Sequence, residues 1–444
     1  MYSQEETLRS TIDKSLKVIR LYDWLLNLYV LDFFVDNHWT KLPLSWQECF
    51  QNITPQDLGN ILSEVPTKHV LPLSFISLIK AVKSLSLPRD KISNKNKIGL
   101  LLSEDICNGH PRLKNLFLKH VKLKKRHEIC LMSKVVSGVA VESKCDAVVD
   151  FGSGLGHLVR VLAYNNNLYA AGIECQSQLT EEARRLDLQL EYTASKHLSE
   201  KNMSNFHRPI HLNMTLTSNT QLDEVSLPET MKSYGLIGLH PCGDLGPLLI
   251  KHFVNCDKVK YICVVGCCFM KLTCEGKDCG YPLSEFVKGL NNELSYVSRE
   301  ISCHAIDIYL ERLRKDNYDN LKVHAYRAAL ERILVDYDPK LKHAPVRNIK
   351  HSDTMTFQQY STQALSRLNI PLPACFARGE ADLRQWRRVV TLYTLRLALA
   401  PLVETVILLD RVLYILEHGL SCEIHPVFDP KLSPRNHIIV GKRL

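Results

Sequence analysis

A glycine-spaced turn between an apolar run and a helical pattern most constrains this chain. Residues 148–158 read VVDFGSGLGHL, and glycines at 152, 154 and 156 let the backbone turn sharply where a side chain would not fit. A buried strand that enters a helix through such a turn is typical of α/β domains that bind a nucleoside cofactor. A second apolar run, 169–173, ends at Glu174, and a carboxylate at this distance is placed to accept hydrogen bonds from ribose hydroxyls.

The spacing of these glycines favours S-adenosylmethionine over a dinucleotide. Dinucleotide sites carry G-x-G-x-x-G, and the third glycine of that pattern would fall here at His157. The observed order, Asp150-x-Gly152-x-Gly154-x-Gly156, resembles motif I of class I methyltransferases, whose cofactor has no phosphate. The alternative is an ordinary glycine turn between a strand and a helix. We therefore expect Asp150, Gly152, Gly154 and Gly156 to hold the methionine part of the cofactor, and Glu174 its ribose.

Composition is that of a globular protein inside the cell. The chain has 444 residues, of which 45% are hydrophobic and 23% charged, and a formal charge of +9 permits an acidic partner without requiring one. Residues 1–10 lack a secretion signal, so the 15 cysteines are expected to be reduced. Charged residues interrupt every apolar stretch approaching the about 20 residues that a membrane span needs. The sequence thus predicts a soluble cytoplasmic or nuclear protein that is not secreted.

Alternating strand and helix patterns predict a parallel, doubly wound α/β sheet. Strands are expected at 147–151, 169–174, 188–193, 209–215, 234–239 and 259–265, with two closing strands at 421–427 and 436–442. Long helices are expected at 4–37, 114–139, 307–337 and 386–418, and shorter ones at 156–164 and 178–187. The predicted organisation is a helical N-terminal module (1–110), the first part of the core (111–280), a mostly helical insertion (281–385) and a closing helix with two strands (386–444).

Three polar clusters, 150–156, 240–245 and 266–271, follow predicted strands and should converge on one crevice. In the second cluster, His240 and Asp244 could orient or deprotonate a hydroxyl or nitrogen acceptor, or Cys242 could attack a pyrimidine ring. Equally, these side chains could simply pack beside the cofactor. The chain contains no Asn/Asp-Pro-Pro-aromatic tetrapeptide, which disfavours adenine N6 methylation.

Two further features concern metals and nucleic acids. Cys263, Cys267, Cys268, Cys274 and Cys279 are spaced poorly for a zinc hairpin, so no metal site is expected. Seven Lys or Arg residues lie between 112 and 126, and three arginines (384, 387 and 388) flank a tryptophan at 386. Such clusters suit a phosphate backbone, although a solvated helix face is the alternative.

Several blocks together resemble one family, the methyltransferase-like proteins described as ribosomal RNA adenine dimethylase domain-containing. The blocks are Lys124-Lys125-x-His127-Glu128, Asp150-x-Gly152-Ser153-Gly154-x-Gly156-His157-Leu158, Gly238-Leu239-His240-x-Cys242-Gly243-Asp244-Leu245, Gly266-Cys267-Cys268-Phe269-x-Lys271-Leu272, Leu409-Asp410-Arg411 and Ser433-Pro434-Arg435-Asn436. Shorter motifs are similar to tRNA ribose 2′-O-methyltransferases.

The resemblance implies a class I methyltransferase (Rossmann-like) fold and an S-adenosylmethionine-dependent enzyme, with Lys125, His127 and Ser153 added to the cofactor residues. It does not carry over adenine dimethylation, because His240-Pro241-Cys242-Gly243 stands where that chemistry needs Asn-x-x-aromatic. The expected substrate is RNA, either tRNA or rRNA, or an RNA-associated protein. The alternatives are a protein methyltransferase and a catalytically inactive scaffold.

Overall fold

A computed structural model describes residues 4–90, 111–117, 121–199, 203, 206–216, 227–276, 279–316, 318–349, 354–368 and 376–443. The strands are β1 (Ala147–Phe151), β2 (Tyr169–Glu174), β3 (Ile210–Asn213), β4 (Tyr234–Cys242), β5 (Val259–Cys267), β6 (Ser421–Pro426) and β7 (His437–Lys442). The α-helices are α1 (Gln4–Leu21), α2 (Asp23–Leu26), α3 (Leu44–Gln51), α4 (Pro55–Leu62), α5 (Leu73–Leu85), α6 (Pro111–Phe117), α7 (Leu123–Glu142), α8 (His157–Tyr164), α9 (Ser177–His197), α10 (Leu245–Asn255), α11 (Glu285–Lys288), α12 (Tyr296–Ile301), α13 (Ile306–Arg314), α14 (Asp319–Tyr337), α15 (Phe357–Leu365), α16 (Phe376–Leu383), α17 (Trp386–Leu397) and α18 (Ala400–Glu417).

The strands form one seven-stranded sheet in the order β3-β2-β1-β4-β5-β7-β6. β1 to β5 pair in parallel, whereas β7 runs antiparallel between β5 and β6. The predicted α/β class is confirmed, and this strand order with its antiparallel closing pair is the class I methyltransferase fold. The order reverses between β1 and β4, and ligands of open α/β sheets bind at such a switch point, beyond the carboxyl ends of the strands.

The sheet is buried because its central strands are almost entirely apolar. All five residues of β1 are buried, as expected for a parallel strand covered on both faces. Val148, Ile237 and Cys263, from three adjacent strands, belong to one apolar core with Val159 and Leu162 of α8. This packing fixes where β1 and β4 end, and therefore where the polar clusters that follow them lie.

Several predicted elements need correction. The strand predicted at 188–193 is wrong, because these residues lie inside α9, where Leu186, Leu190 and Ala194 are buried at helical spacing. The helix predicted at 386–418 is divided between α17 and α18, because Pro401 lies at the start of the second helix and cannot donate a backbone hydrogen bond. The helices predicted at 4–37, 114–139 and 307–337 are likewise interrupted, and residues 118–120 of the second lie outside the described residues.

The chain divides into two compact units. The first comprises Met1–Ile12, Pro88–Asn292 and Val406–Leu444 and contains the sheet. The second comprises Asp13–Leu87 and Glu293–Thr405, and its described elements are helices. Within this second unit, Gln56 Nε2 of α4 donates a hydrogen bond to the carbonyl of Arg314, at the end of α13. The domain boundaries predicted from the sequence stay predictions.

Among the residues that the structure describes, every helix is too short or too polar to cross a lipid bilayer.

Candidate active site

The glycine turn after β1 needs its glycines for two different reasons. Gly154 and Gly156 both have left-handed backbones, with φ of 56° and 67°. A methyl group added at Gly154 would meet no atom within 4 Å, whereas one added at Gly156 would lie 2.5 Å from Cε1 of His211. Gly154 therefore faces open space, and Gly156 allows the turn to pack closely against β3.

A buried ion pair is hydrogen-bonded to this turn and stabilises it. Arg160 Nε of α8 lies 2.5 Å from Oδ1 of Asp187, whose Oδ2 lies 2.6 Å from Nε2 of His211. Arg160 Nη2 also donates a hydrogen bond to the carbonyl of Leu155 within the turn. Because these charged side chains are buried and paired, the network holds α8, α9 and β3 in one arrangement. The sequence offered no signal for it, since Arg160 and His211 are 51 residues apart.

Glu174 lies at the end of β2 and is hydrogen-bonded to the turn. Its Oε2 accepts from the backbone N–H of Gly154, and its Oε1 accepts from that of Gln176, both at 3.0 Å. Burial raises the pKa of Glu174, but the hydrogen bonds from Gln176, Cys175 and Gly154 outweigh burial, so the pKa lies below its ordinary value. The carboxylate is therefore ionised and fixed in orientation beside the turn.

A cavity of about 410 Å³ opens at the carboxyl end of β1, within the size range of small-molecule sites. Its lining includes five of the predicted cofactor residues: Lys125, Asp150, Gly152, Ser153 and Gly154. Burial raises the pKa of Asp150 to about 7, while the nearby charge of Lys125 acts in the opposite direction. Burial therefore favours the protonated form of the Asp150 carboxyl group.

The other predicted cofactor residues lie outside this lining. Gly156 and Glu174 shape the turn, as described above. His127 Nε2 accepts a hydrogen bond from the backbone N–H of Asp429 at 3.0 Å, and its ring lies 6.2 Å from that of Phe428. These contacts join α7 to the segment between β6 and β7. The cofactor role of His127 stays a prediction, and its contacts are those of a packing residue.

His240, at the end of β4, is paired with a carboxylate that sequence reasoning missed as a site residue. His240 Nε2 lies 2.9 Å from Oε1 of Glu128, a buried residue of α7 that also accepts a hydrogen bond from Ser433 Oγ at 2.5 Å. Burial raises the pKa of Glu128, but the hydrogen bonds from His240 and Ser433, together with the charges of His240 and Lys124, lower it further than burial raises it. An ionised carboxylate therefore orients the imidazole ring of His240.

Asp244, in the loop after β4, is hydrogen-bonded to Thr273. Its carboxylate accepts hydrogen bonds from the backbone N–H and the hydroxyl of Thr273, both at 3.0 Å. It therefore ties the loop after β4 to the segment after β5. Its role in positioning the acceptor stays a prediction, and the carboxylate that contacts His240 is that of Glu128.

Three thiols meet at the ends of β4 and β5. Cys242 Sγ lies 3.3 Å from that of Cys267 and 3.4 Å from that of Cys268. Hydrogen bonds from Cys267 and Cys268, together with the charges of Lys271 and His240, lower the pKa of the Cys242 thiol against the effect of burial. The thiol group most exposed to solvent is thus the one most readily ionised.

The predicted basic clusters lie in different units. Lys122 and Lys125 line the cavity of the first unit, and Lys122 is exposed; Lys119 lies outside the described residues. In the second unit, the cations of Lys322 and Arg387 lie 5.3 and 5.8 Å from the ring of Trp386. Arg387 is exposed and Lys322 is partly buried, and cations beside an aromatic ring suit nucleic acid.

Comparison with known proteins defines the class. A family model described as "Methyltransferase domain" matches residues 124–275, which include α7, the glycine turn and the ends of β4 and β5. Together with the strand order, this match shows that the chain contains a methyltransferase domain of the class I fold.

The relatives are methyltransferase-like proteins. "Probable methyltransferase-like protein 25" of Mus musculus is 26% identical over 243 residues, which are 51% of this chain and 40% of the relative. The Homo sapiens protein of the same name is 26% identical over 263 residues, 55% of this chain and 42% of the relative. The chain thus spans about two fifths of the length of these relatives.

One solved structure, the plantazolicin methyltransferase BamL in complex with a triazolic desmethylPZN analog and SAH, aligns with 63% of this chain and 84% of its own. It is 14% identical, with a TM-score of 0.22, and the fold assignment rests on the strand order rather than on this alignment.

Proposed function

We propose that this protein is an S-adenosylmethionine-dependent methyltransferase that acts on RNA. The observation that carries the proposal is the Glu174 carboxylate, which accepts a hydrogen bond from the amide of Gly154 beside a cavity that Gly154, Asp150 and Gly152 line. In this arrangement carboxylates can accept hydrogen bonds from hydroxyl and ammonium groups of a ligand. The backbone of the glycine turn can contact the rest of the ligand, because no side chain covers it. The donor set fits a nucleoside that carries an amino acid better than it fits a pyrophosphate.

The proposed roles follow from the positions of the side chains. Glu174 binds the ribose hydroxyls, and the turn from Gly152 to Gly154 holds the amino acid part. S-adenosylmethionine supplies an electrophilic methyl group, so the protein has mainly to align the acceptor with it. The His240–Glu128 pair takes the proton from a hydroxyl acceptor, as a base oriented by a buried carboxylate.

RNA is favoured as the substrate by the cations at the cavity. Lys122 and Lys125 line it, and Lys124, on the same helix as Lys125, is half exposed. Ammonium groups in this position can contact backbone phosphates while a nucleotide reaches the cavity. Ionised Cys242 favours a second candidate reaction on the same substrate class, attack on a pyrimidine ring that precedes methylation of carbon.

Transfer of a labelled methyl group tests the proposal. Purified protein, labelled S-adenosylmethionine and a cell lysate are incubated, and the product is divided between nuclease and protease treatments. We expect label that nuclease releases, and its loss in Glu174→Gln but not in Glu181→Gln, an exposed carboxylate on α9. Label that only protease releases would identify a protein methyltransferase instead. Absence of both transfer and cofactor binding would indicate an inactive scaffold.

Cofactor binding by itself is measured by calorimetry. Glu174→Gln removes a charged acceptor, and hydrogen bonds to charged groups contribute roughly 1.5–3 kcal/mol, so the affinity should fall about 10- to 100-fold. Normal binding of a dinucleotide with no binding of S-adenosylmethionine would refute the cofactor assignment.

A further inference from the structure

The three thiols at the ends of β4 and β5 are brought together by strand register rather than by sequence spacing. Cys242 is the direct partner of Cys267 in the parallel pair β4–β5, and Cys268 follows at the next position. The pairing of these two strands is shifted between Leu239 and Cys242. The cysteine spacing between 263 and 279, which fits a zinc hairpin poorly, therefore does not describe this cluster. One of its three thiols, that of Cys242, comes from β4.

The backbone around the cluster is held in an uncommon conformation. His240 and Cys268 have left-handed backbones, with φ of 68° and 50°, although neither is glycine. Such conformations are unfavourable for residues other than glycine and are concentrated at functional sites. Here they turn the chain at both strand ends so that Cys242 and Cys268 face each other.

We propose that Cys242, Cys267 and Cys268 bind one Zn²⁺ ion through their three sulfur atoms, with a fourth coordination position open to the crevice. All three sulfur atoms lie within 4.8 Å of one another. A tetrahedral zinc with bonds of about 2.3 Å needs sulfur atoms about 3.8 Å apart. The observed separations of 3.3 and 3.4 Å require only small side-chain adjustments.

The open position follows from the exposure of the three thiols. Cys267 is buried, Cys268 is half-buried and Cys242 is exposed, so one side of the cluster faces solvent. Zinc sites with three protein ligands and one free position bind water or a substrate atom there. The proposed ion would lie at the ends of β4 and β5. His240 is also near the end of β4, so the ion would be on the acceptor side of the candidate active site.

The charge around the cluster matches such a centre. Three thiolates and Zn²⁺ carry a net charge of −1, and Arg411, which is 1% exposed, interacts electrostatically with Cys267. Its Nε and Nη2 find no hydrogen-bond partner among the described residues. A side chain added at Gly266, the residue before Cys267, would lie 2.6 Å from Nη1 of Arg411. A buried guanidinium with unused donors costs free energy, which an anionic centre above it would offset.

The carboxylate of Asp410 does not accept hydrogen bonds from Nε or Nη2 of Arg411. Its carboxylate accepts hydrogen bonds from the backbone N–H groups of Leu283 and Ser284 and from the hydroxyl of Ser284. A second group of possible ligands, Asp32, Glu331 and His343 in the other unit, is weaker, because Lys342 Nζ already lies 3.8 Å from Asp32. The thiol cluster is therefore the stronger metal site, and this proposal does not depend on methyl transfer.

Titration of the reduced, metal-free protein tests the proposal. Zn²⁺ is added in competition with a chromophoric chelator, and Co²⁺ is added separately, because tetrahedral cobalt thiolates show intense sulfur-to-metal charge-transfer absorption. We expect one equivalent of each ion. Cys242→Ser and Cys268→Ser should each weaken zinc binding at least 10-fold and abolish the charge-transfer absorption. Cys274→Ser, an exposed cysteine outside the trio, serves as the matched control and should bind as the unaltered protein does.

The circular dichroism melt of each variant establishes that it is folded, and exposed Cys242 is the substitution least expected to disturb folding. Equal zinc binding by the unaltered protein and folded Cys242→Ser would overturn the proposal, as would a weak octahedral cobalt spectrum. Loss of binding in Cys274→Ser as large as in Cys268→Ser would also overturn it, because the site would then lie elsewhere. None of these measurements depends on methyl transfer, so they are independent of the activity assay.

Discussion

Alanine at Gly154 should mainly weaken cofactor binding, whereas alanine at Gly156 should mainly lower the stability of the fold. At either position a left-handed backbone costs alanine about 1–2 kcal/mol. At Gly154 nothing else opposes the new methyl group, so the loss of stability should stay near that value. At Gly156 the methyl group would lie 2.5 Å from the ring of His211, and Asp187 holds that ring in place. Overpacking of this kind adds about 1–3 kcal/mol, which gives a total of roughly 2–5 kcal/mol.

Cofactor affinity should follow the other order, with the larger loss in Gly154→Ala. Gly154 lines the cavity, so its alanine methyl group occupies space that the cofactor needs, whereas Gly156 lies outside the lining. Urea denaturation gives the stability of each variant, and calorimetry gives its affinity for S-adenosylmethionine. Folded Gly156→Ala should bind the cofactor better than Gly154→Ala does, despite its lower stability. Equal stability losses at the two positions would refute the packing argument, and unchanged affinity in Gly154→Ala would refute the placement of the cofactor.

Three further outcomes follow from buried charges. Because the pKa of Asp150 is raised to about 7 from its ordinary 3.8, the folded protein keeps a proton that the unfolded chain releases; stability therefore falls as pH rises between these values. Denaturant unfolding should show Asp150→Asn gaining stability relative to the unaltered protein as the pH rises from 5 to 8, by roughly 3 kcal/mol. Asp187→Asn should lower the free energy of unfolding by about 3–5 kcal/mol, because Arg160 then loses its buried partner. Glu128→Gln should slow methyl transfer, since His240 loses the carboxylate that orients its ring, and the initial rate of label transfer measures this.

Exposed carboxylates supply the controls for these three outcomes. Asp146→Asn, just before β1, should leave the pH dependence of stability unchanged. Glu181→Gln should leave both the stability and the transfer rate unchanged. A parallel pH dependence in Asp150→Asn and the unaltered protein would contradict the assignment of that proton to Asp150.

Local patterns were sufficient for the strands that carry the cofactor residues. The predicted bounds of β1 and β2 agree with the structure, because uninterrupted apolar runs that end in glycine or a carboxylate leave little choice of element. The strand predicted at 188–193 failed because LQLEYT alternates apolar and polar residues as a strand does, whereas only Leu190 of its apolar residues is buried, on the packed face of α9.

Contacts between distant residues could not be predicted in the same way. Glu128 and His240 are 112 residues apart, and Ser433 is 305 residues from Glu128. Their approach depends on the packing of α7 against the sheet and on the course of the chain after β6. The thiol cluster similarly depends on the register of β4 and β5, which no spacing within a single segment reveals.

The position of β7 has a consequence for synthesis of the protein. β7 pairs with β5 along four residues, from Tyr261 to Val264, yet about 170 residues separate the two strands in the chain. At about 5–20 residues per second, a ribosome needs roughly 10–35 s to make the intervening segment. Throughout that time the β7-facing edge of β5, which includes Ile262 and Val264, has no native partner to cover it. An unpaired apolar edge promotes aggregation, so the nascent chain should depend on chaperones during this interval.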